Sequence, residues 1–474
     1  MKNNKSRNKL LLVTSSFEDV PHVPISITND NSHYPIGMGY LYSYIESKGV
    51  DVELLSLNHF DYETCYKKVM DKIKEFSPDF VGLQLLSSNR VSSYRLIELI
   101  HKEYPEIQLI LGGIHTTIMY EQLIDKYPFV IAVLGEGEIT LDELLHELNK
   151  EQPNLRSIDG IAFYNQDLYK VERTKPRELV TDLDIFPFPK HELFFKDSNR
   201  FSGCIITSRG CFMKCSFCVL NPESKRIVRY RTPKNVVDEI EHMANSFPQM
   251  TEIFIHDDSF FADNKRVIEI CDEIIKRKIK LEFVCSGRMR PLTEEMIKKL
   301  EEVNFTRVIL GIESGDNSIL KSCHKGITQS DIERGFKLFA KSKINLKTFL
   351  IVGLPGENID TINETARFIK KMQKIKYVSY GDFSNFLMVY PGTEVYEIAK
   401  SKGMMTDDFW MGDEEIPVYI AENSIEELKR LGGVLSDNIS YERILTWKGF
   451  KAQFKLIPTL MVYFGKRIIA RVRR

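Results

Sequence analysis

Three cysteines within eight residues offer the clearest chemistry in this chain. Cys211, Cys215 and Cys218 lie in the run TSRGCFMKCSFC, and clustered thiolates of this kind hold iron–sulfur clusters. A [4Fe–4S] cluster held by three cysteines has one iron without a protein ligand, which leaves that iron open to a substrate. Structural zinc normally takes four ligands, a disulfide would leave one cysteine over, and chance clustering is disfavoured with only eight cysteines in 474 residues. The spacing therefore predicts a [4Fe–4S] site with an open iron.

Composition limits the class of protein. A length of 474 residues suits about three domains, and a net charge of −1 gives no extended field that would favour nucleic acid as a partner. The first apolar run is too short for a signal peptide, and no run approaches the ~18 residues of a membrane span. Thiolates kept for a metal favour a reducing compartment, so we expect a cytoplasmic protein. Five other cysteines are expected to be buried small hydrophobic residues: Cys65, Cys204, Cys271, Cys285 and Cys323.

The first third of the chain alternates strand and helix patterns with short links. Runs such as KLLLVTSS, FVGLQLLSS and IQLILGGIH read as strands, and this alternation predicts an α/β domain with a doubly wound parallel sheet. Ligands of such sheets bind at the carboxyl ends of the strands, and glycines there let a bulky ligand approach the backbone. Ordinary tight turns are the alternative. The candidate binding residues at these ends are Ser15, Ser87, Gly112, Gly113 and Gly135.

A second alternation begins near residue 203 and contains six strand patterns. It predicts a partial (β/α)6 barrel of the TIM type, in which polar residues at the strand ends converge on one mouth. The three cysteines follow the first of these strands. The later strands are followed by Asp257, Asp258, Ser286, Arg288, Glu313, Ser314 and Gly353.

These patterns divide the chain into four parts. Residues 1–149 form the first domain and residues 200–395 the barrel. Between them, residues 150–199 contain a β-hairpin around Asn165–Asp167 and an extended linker, because the run FPFP disfavours helix and sheet. Residues 396–474 form a small, mostly helical C-terminal region that ends in a basic amphipathic tail. We expect this tail to pack on the barrel; weak contact with a membrane surface is the alternative.

With the cysteine motif placed after the first barrel strand, the central region resembles the radical S-adenosylmethionine superfamily. Residues 8–148 resemble the cobalamin-binding domain that precedes some of these enzymes, with flavodoxin-like topology, on the runs PIGMGYLYSYI, LGGIHTT and GEGE. Cobalamin domains of mutases carry D-x-H-x-x-G in the first loop. Here that loop reads SSFEDVPHVP, with Asp19 and His22 at another spacing, so the resemblance does not extend to a lower histidine ligand.

The resemblance also implies roles for the strand-end residues. Asp257 and Asp258 would hold the ammonium group of S-adenosylmethionine; helix capping is the alternative. Arg288 would pair with its carboxylate, unless it forms a surface ion pair, and Glu313 would accept hydrogen bonds from the ribose. No catalytic side chain is assigned. The same mouth is expected to contain Ser286, Ser314 and Gly353, the last of these in a turn beside the adenine.

The implied activity is radical chemistry. The open iron would bind S-adenosylmethionine, and its reductive cleavage would release a 5′-deoxyadenosyl radical that abstracts hydrogen from an unactivated C–H bond. The favoured reaction is methylation of a carbon or phosphorus centre, with methylcobalamin as the methyl donor, on a small-molecule or lipid substrate. A low-potential donor such as flavodoxin or ferredoxin would supply electrons, and no nucleic acid is expected.

Three other functions stay open at this point. The first is a radical oxidoreductase or cyclase of the same architecture without methyl transfer. The second is a cobalamin-binding sensor with an inactive barrel. The third, a methylthiotransferase acting on transfer RNA, would need a second set of three cysteines in the first domain, where the sequence has only Cys65.

Overall fold

The computed structural model of the protein describes residues 8–17, 34–195, 201–220, 226–380 and 386–445. Asp19 and His22 of the first loop and the basic tail after residue 445 lie outside the described residues. Within the described part, no helix is long and apolar enough to cross a membrane.

The N-terminal domain is built on a seven-stranded sheet in the order β2-β1-β3-β4-β5-β6-β7. The first five strands are parallel and have the predicted flavodoxin-like order, with the switch point between β1 and β3. Residues 10–13 of β1 are buried, as expected for a strand that is covered by helices on both faces. The strands are β1 (Lys9–Thr14), β2 (Asp51–Ser56), β3 (Phe80–Gln84), β4 (Gln108–Gly112), β5 (Ile131–Val133), β6 (Ile161–Asn165) and β7 (Lys170–Arg173). The helices are α1 (Ile36–Ser47), α2 (Tyr62–Phe76), α3 (Arg90–Glu103), α4 (Ile114–Lys126) and α5 (Glu138–Leu148).

The predicted hairpin is present and extends this sheet. β6 and β7 pair antiparallel, and the Oδ1 atom of Asn165 accepts hydrogen bonds from the backbone N–H groups of Asp167 and Leu168, both at 3.0 Å. β6 also pairs antiparallel with β5. The chain after residue 150 therefore adds two strands to the first sheet before the short helix α6 (Glu192–Phe195) leads towards the barrel.

The barrel has six parallel strands in the order β15-β14-β13-β12-β11-β8. In the described residues its two outer strands do not pair with each other, so it is the open barrel that the sequence predicts. Its main strands are β8 (Ser202–Ile205), β11 (Glu252–Ile255), β12 (Glu282–Gly287), β13 (Phe305–Glu313), β14 (Asn345–Leu350) and β15 (Val378–Tyr380). Its helices are α7 (Pro233–Ser246), α8 (Asn264–Lys276), α9 (Glu294–Glu302), α10 (Asn317–Ser322), α11 (Gln329–Ala340) and α12 (Ile359–Ile375).

Local sequence explains where several of these elements begin. Thr232 caps α7 by accepting from the N–H of Asn235, with Pro233 in the first helical position. Thr293 caps α9 in the same way. The last strand, β15, begins at Val378.

The C-terminal region packs on both domains. Helix α14 (Ile425–Leu445) adds Leu428, Leu431 and Leu435 to the core of the barrel. The chain from residue 387 to 419, which includes α13 (Glu394–Ser401), packs on the N-terminal domain. There Trp410 is fully buried, and its carbonyl oxygen accepts a 2.9 Å hydrogen bond from the hydroxyl of Tyr94.

Candidate active site

The three cysteines lie on a loop between two short antiparallel strands, β9 (Ser208–Arg209) and β10 (Arg229–Tyr230). Neighbouring chain segments hold the middle of the loop, because the N–H of Ser216 donates to the carbonyl of Cys323 at 3.1 Å and its carbonyl accepts from the N–H of Val395 at 3.0 Å. Cys215 is buried and the other two cysteines are half-buried. The loop is thus fixed between the barrel and the C-terminal region.

In the described residues, the three cysteines of this loop are not paired in disulfides. Burial raises the pKa of the Cys218 thiol, and the nearby Cys215 and Cys211 add to the rise. Within the described residues, no three His, Cys, Asp or Glu side chains are arranged closely enough to hold a metal ion, so the three sulfurs are not gathered in a ligand set. The other five cysteines are buried, as predicted.

The two aspartates after β11 have different surroundings. The Asp257 carboxylate accepts hydrogen bonds from the N–H of Thr207 at 2.6 Å, from its hydroxyl at 2.5 Å and from the Ser208 hydroxyl at 2.6 Å. Asp257 therefore holds the turn that leads into β9. Asp258 accepts only from the N–H of Gly210 in the described residues, at 3.1 Å, and burial raises the pKa of its carboxyl. Neither residue caps α8, because Asp263 does so.

Arg288, which follows β12, and Glu313, which ends β13, meet at Lys325, a side chain that no sequence motif marks. Lys325 forms a buried ion pair with Glu313 at 2.8 Å, and its carbonyl accepts from the Arg288 guanidinium at 2.8 Å. Burial lowers the pKa of Lys325, but Glu313 and then Cys215 outweigh this effect and raise it above the usual value. The carboxylate of Glu313 thus already has a cationic partner close to the cysteine loop.

Two other residues of the predicted mouth have distinct positions. Ser286 is half-buried near the carboxyl end of β12. Ser314 is buried, and its hydroxyl lies 3.1 Å from the hydroxyl of Thr365 on α12. Its place at the cofactor stays a prediction.

A cavity of about 450 Å³ lies between the N-terminal sheet and the start of the barrel. From the sheet it is lined by Gly112, Gly113 and Gly135, and from the barrel side by Gly210 and Asp258. Its volume is within the range of ligand sites. The cavity therefore brings the predicted glycines of the first domain to the same space as the base of the cysteine loop.

Gly112 and Gly113, which line the cavity at the end of β4, differ in the space available for a side chain. Gly113 has φ +100°, and a Cβ atom there would lie 2.5 Å from the carbonyl oxygen of Leu85, so only glycine fits. At Gly112 a Cβ atom would meet no other atom within 4 Å, because the position opens into the cavity. These features fit a bulky ligand that lies against the strand ends.

The structure does not place Ser15 and Ser87 on this cavity, although both follow strands. The Ser15 hydroxyl lies 2.6 Å from that of Ser93, and the Ser87 hydroxyl lies 3.0 Å from the Nδ1 atom of His115. Both serines are buried. They hold neighbouring segments of the N-terminal domain together and do not face the ligand space.

The GEGE run at residues 135–138 ties the cavity edge to the hairpin that carries the cysteine loop. Glu138 pairs with Arg209 of β9 at 2.6 Å. Glu136 accepts from the Nη1 atom of Arg229 of β10 at 3.0 Å and also pairs with Arg209 at 3.5 Å. We call these four side chains the arginine–glutamate clamp. Because both arginines flank the cysteine loop, the clamp fixes that loop relative to the cavity.

Family models match both halves of this arrangement. Residues 24–145 match the B12 binding domain, and residues 205–369 match the radical SAM superfamily. The chain thus combines a B12 binding domain with a radical SAM domain. The cofactors of this radical enzyme are a [4Fe–4S] cluster, S-adenosylmethionine and cobalamin.

Individual relatives agree with this assignment. An uncharacterized methyltransferase of Pyrococcus horikoshii is 27% identical over 407 residues, which are 85% of each chain. The anaerobic magnesium-protoporphyrin IX monomethyl ester cyclase of Rubrivivax gelatinosus is 26% identical, over 75% of this chain and 64% of its own. The cobalamin-dependent radical enzyme OxsB, solved with aqua-cobalamin and S-adenosylmethionine, shares the fold with a TM-score of 0.72 at 18% identity, over 95% of this chain and 71% of its own.

The residues present in this radical enzyme fit these cofactors. Three cysteines share one anchored loop, and the glycine-edged cavity opens beside the base of that loop. Cys211, Cys215 and Cys218 would hold the cluster. Gly112, Gly113 and Gly135 would let cobalamin lie against the strand ends. Asp258 has the better position of the two aspartates for the S-adenosylmethionine ammonium, which stays a prediction.

We predict that the clamp contributes to stability. Replacing Glu136 with alanine leaves Arg229 buried without its carboxylate partner, and we expect a loss of about 2 kcal/mol in the free energy of unfolding. The double-mutant cycle of Glu136→Ala and Arg229→Met, measured by urea unfolding, checks this coupling. Additive effects of the two substitutions would contradict the clamp.

The turn after β14 contains Gly353 and places a buried acid beside it. Gly353 has φ +93° and approaches α14, where its Cβ would lie 2.8 Å from a methyl of Leu428. Its N–H donates to the Glu357 carboxylate at 2.5 Å. Burial raises the pKa of Glu357 to about 8, although the N–H groups of Gly353 and Leu354 act in the opposite direction. A place for Gly353 beside the adenine stays a prediction.

This buried acid gives a second prediction. The folded-state pKa of Glu357 lies above the unfolded value of about 4.3, so the folded protein binds the proton more tightly. Its contribution to stability is complete below pH ~4.3 and is lost as the pH rises towards 8. Between pH 5 and 8, the protonation of Glu357 makes the free energy of unfolding of the wild-type protein fall more steeply, by at most about 1.4 kcal/mol per pH unit. Urea unfolding of Glu357→Gln over the same pH range should therefore show a smaller fall. An unchanged slope would contradict the prediction.

Proposed function

We propose that this radical enzyme methylates an unactivated carbon or phosphorus centre of a small-molecule or lipid substrate. One observation carries the proposal: a single cavity is lined by the glycines of the cobalamin-binding domain and by Gly210 and Asp258 at the base of the cysteine loop. A methyl donor in this cavity would lie next to the place where the substrate is activated. Proximity of this kind removes a large part of the entropic barrier to a two-reactant step.

When bound, the cofactors supply a 5′-deoxyadenosyl radical and a transferable methyl group. The chain itself binds and orients the reactants and excludes water from them. Apolar side chains such as Leu12, Met38 and Leu41 line the cavity and limit its water content. The clamp holds the cysteine loop against it. Asp258 offers a carboxylate to a cationic group.

The relatives support the proposal and also favour a second candidate. The Pyrococcus horikoshii relative is named as a methyltransferase and matches 85% of this chain. The Rubrivivax gelatinosus relative is named as a cyclase and matches 75%. The second candidate is therefore a radical cyclase or oxidoreductase with the same cofactors but without methyl transfer.

Transfer of label from the methyl group of S-adenosylmethionine separates the two candidates. The reconstituted protein would be incubated anaerobically with dithionite, cobalamin, methyl-labelled S-adenosylmethionine and a metabolite and lipid extract of its source cells. We expect labelled product together with 5′-deoxyadenosine. Label that stays in free methionine while 5′-deoxyadenosine forms would contradict methyl transfer and favour the second candidate.

A further inference from the structure

A second pocket lies against the tip of the cysteine loop and shares no lining residue with the interdomain cavity. One wall is formed by Phe212, Met213 and Lys214 of the loop, and the other by residues between 317 and 331. Its volume is about 700 Å³. The cysteine loop therefore has the interdomain cavity at its base and a separate surface pocket at its tip.

This pocket has an excess of positive charge. Lys214, Lys321 and Arg290 line it, and in the described residues no carboxylate lies within ion-pair distance of either lysine. The acid of the pocket, Asp331, lies 3.8 Å from Arg290 and 3.7 Å from Arg334. Because the whole chain has a net charge of only −1, this positive surface is a local feature.

The pocket is also the place where the cysteine loop reaches the surface. Phe212, next to Cys211, is 41% exposed, and its ring lies 6.0 Å from the guanidinium carbon of Arg288. Met213 packs on Gly326, where an added Cβ would lie 2.4 Å from the methionine methyl. A protein docked here would touch residues that directly adjoin the proposed cluster ligands.

We propose that this pocket and its rim form the docking surface for an acidic protein that carries one electron at low potential. Positive and negative surfaces attract and orient such partners, and an exposed aromatic ring offers an apolar contact at the centre. The carrier is oxidised by one electron and the cluster is reduced by one, with no bond formed or broken. The inference rests on the cluster assignment and is independent of the methyl acceptor.

The test compares charge reversals at two places on the reconstituted full chain. K321E/R290E changes the pocket without touching the cysteine loop. K280E/K298E makes the same change in net charge at exposed positions on other segments of the barrel. Reduced flavodoxin is the probe, and its dissociation constant, the dependence of binding on salt and the rate of cluster reduction are measured.

For K321E/R290E we expect binding at least about tenfold weaker, a smaller salt dependence and slower reduction by flavodoxin. Reduction by dithionite and the iron content should equal those of the wild type, and K280E/K298E should bind normally. Equal flavodoxin affinity in all three proteins would overturn the proposal. If K321E/R290E loses iron, the flavodoxin affinity of the single variant K321E is compared with those of the wild type and K280E/K298E instead. Failure of dithionite to support S-adenosylmethionine cleavage in the wild type would instead contradict the radical activity.

Discussion

Replacing Cys215 with alanine is expected to abolish cluster binding and S-adenosylmethionine cleavage while leaving cobalamin binding intact. Only three cysteines are on the loop, so removal of one leaves too few thiolates to hold the cluster. The cavity that would hold cobalamin is lined by other residues. Iron and sulfide content, 5′-deoxyadenosine formation and a cobalamin titration measure the three effects separately.

Cys271→Ala is the matched control for this variant. Cys271 is a fully buried cysteine on α8, and its loss should change stability slightly without affecting iron content. Full turnover by Cys215→Ala, or loss of iron in both variants, would contradict the assignment of the cluster to the loop.

Replacing Gly112 with valine is expected to weaken cobalamin binding by about ten- to a hundredfold, which corresponds to ~1–3 kcal/mol of steric conflict. A Cβ at this position meets no protein atom within 4 Å, so the protein itself should accommodate the side chain. The added methyl groups would occupy the ligand space between the two domains. A hydroxocobalamin titration followed by absorbance, together with the melting temperature, checks both parts of the prediction.

Gly433→Val provides the control. Gly433 is an exposed position of α14 where an added Cβ also meets no atom within 4 Å, and it does not line the cavity. This variant should bind cobalamin normally. If Gly112→Val binds cobalamin as tightly as the wild type does, cobalamin does not approach the carboxyl end of β4.

The alternation of strands and helices was sufficient to predict both sheets. The rule that ligands bind at the carboxyl ends of parallel strands also selected Gly112, Gly113 and Gly135, which line the cavity. The same rule selected Ser15 and Ser87, which the structure uses for buried hydrogen bonds. A strand end is thus predictable, whereas the direction of its side chain depends on partners from other segments.

Other side-chain roles could not be predicted because they depend on partners that are far away in the sequence. Asp257 and Asp258 are adjacent, yet Asp257 is bound by the turn after β8, fifty residues earlier in the chain. Lys325 had no motif to mark it, because its importance comes from the ion pair with Glu313. The GEGE run was recognisable, but its arginine partners lie more than 70 residues away.

Anaerobic reconstitution of the wild-type protein with iron and sulfide, followed by incubation with dithionite and S-adenosylmethionine, tests most directly whether the cysteine loop supports radical chemistry. We expect a brown protein that contains a [4Fe–4S] cluster, binds cobalamin and cleaves S-adenosylmethionine to 5′-deoxyadenosine. A protein that binds cobalamin but takes up no iron and forms no 5′-deoxyadenosine would contradict it.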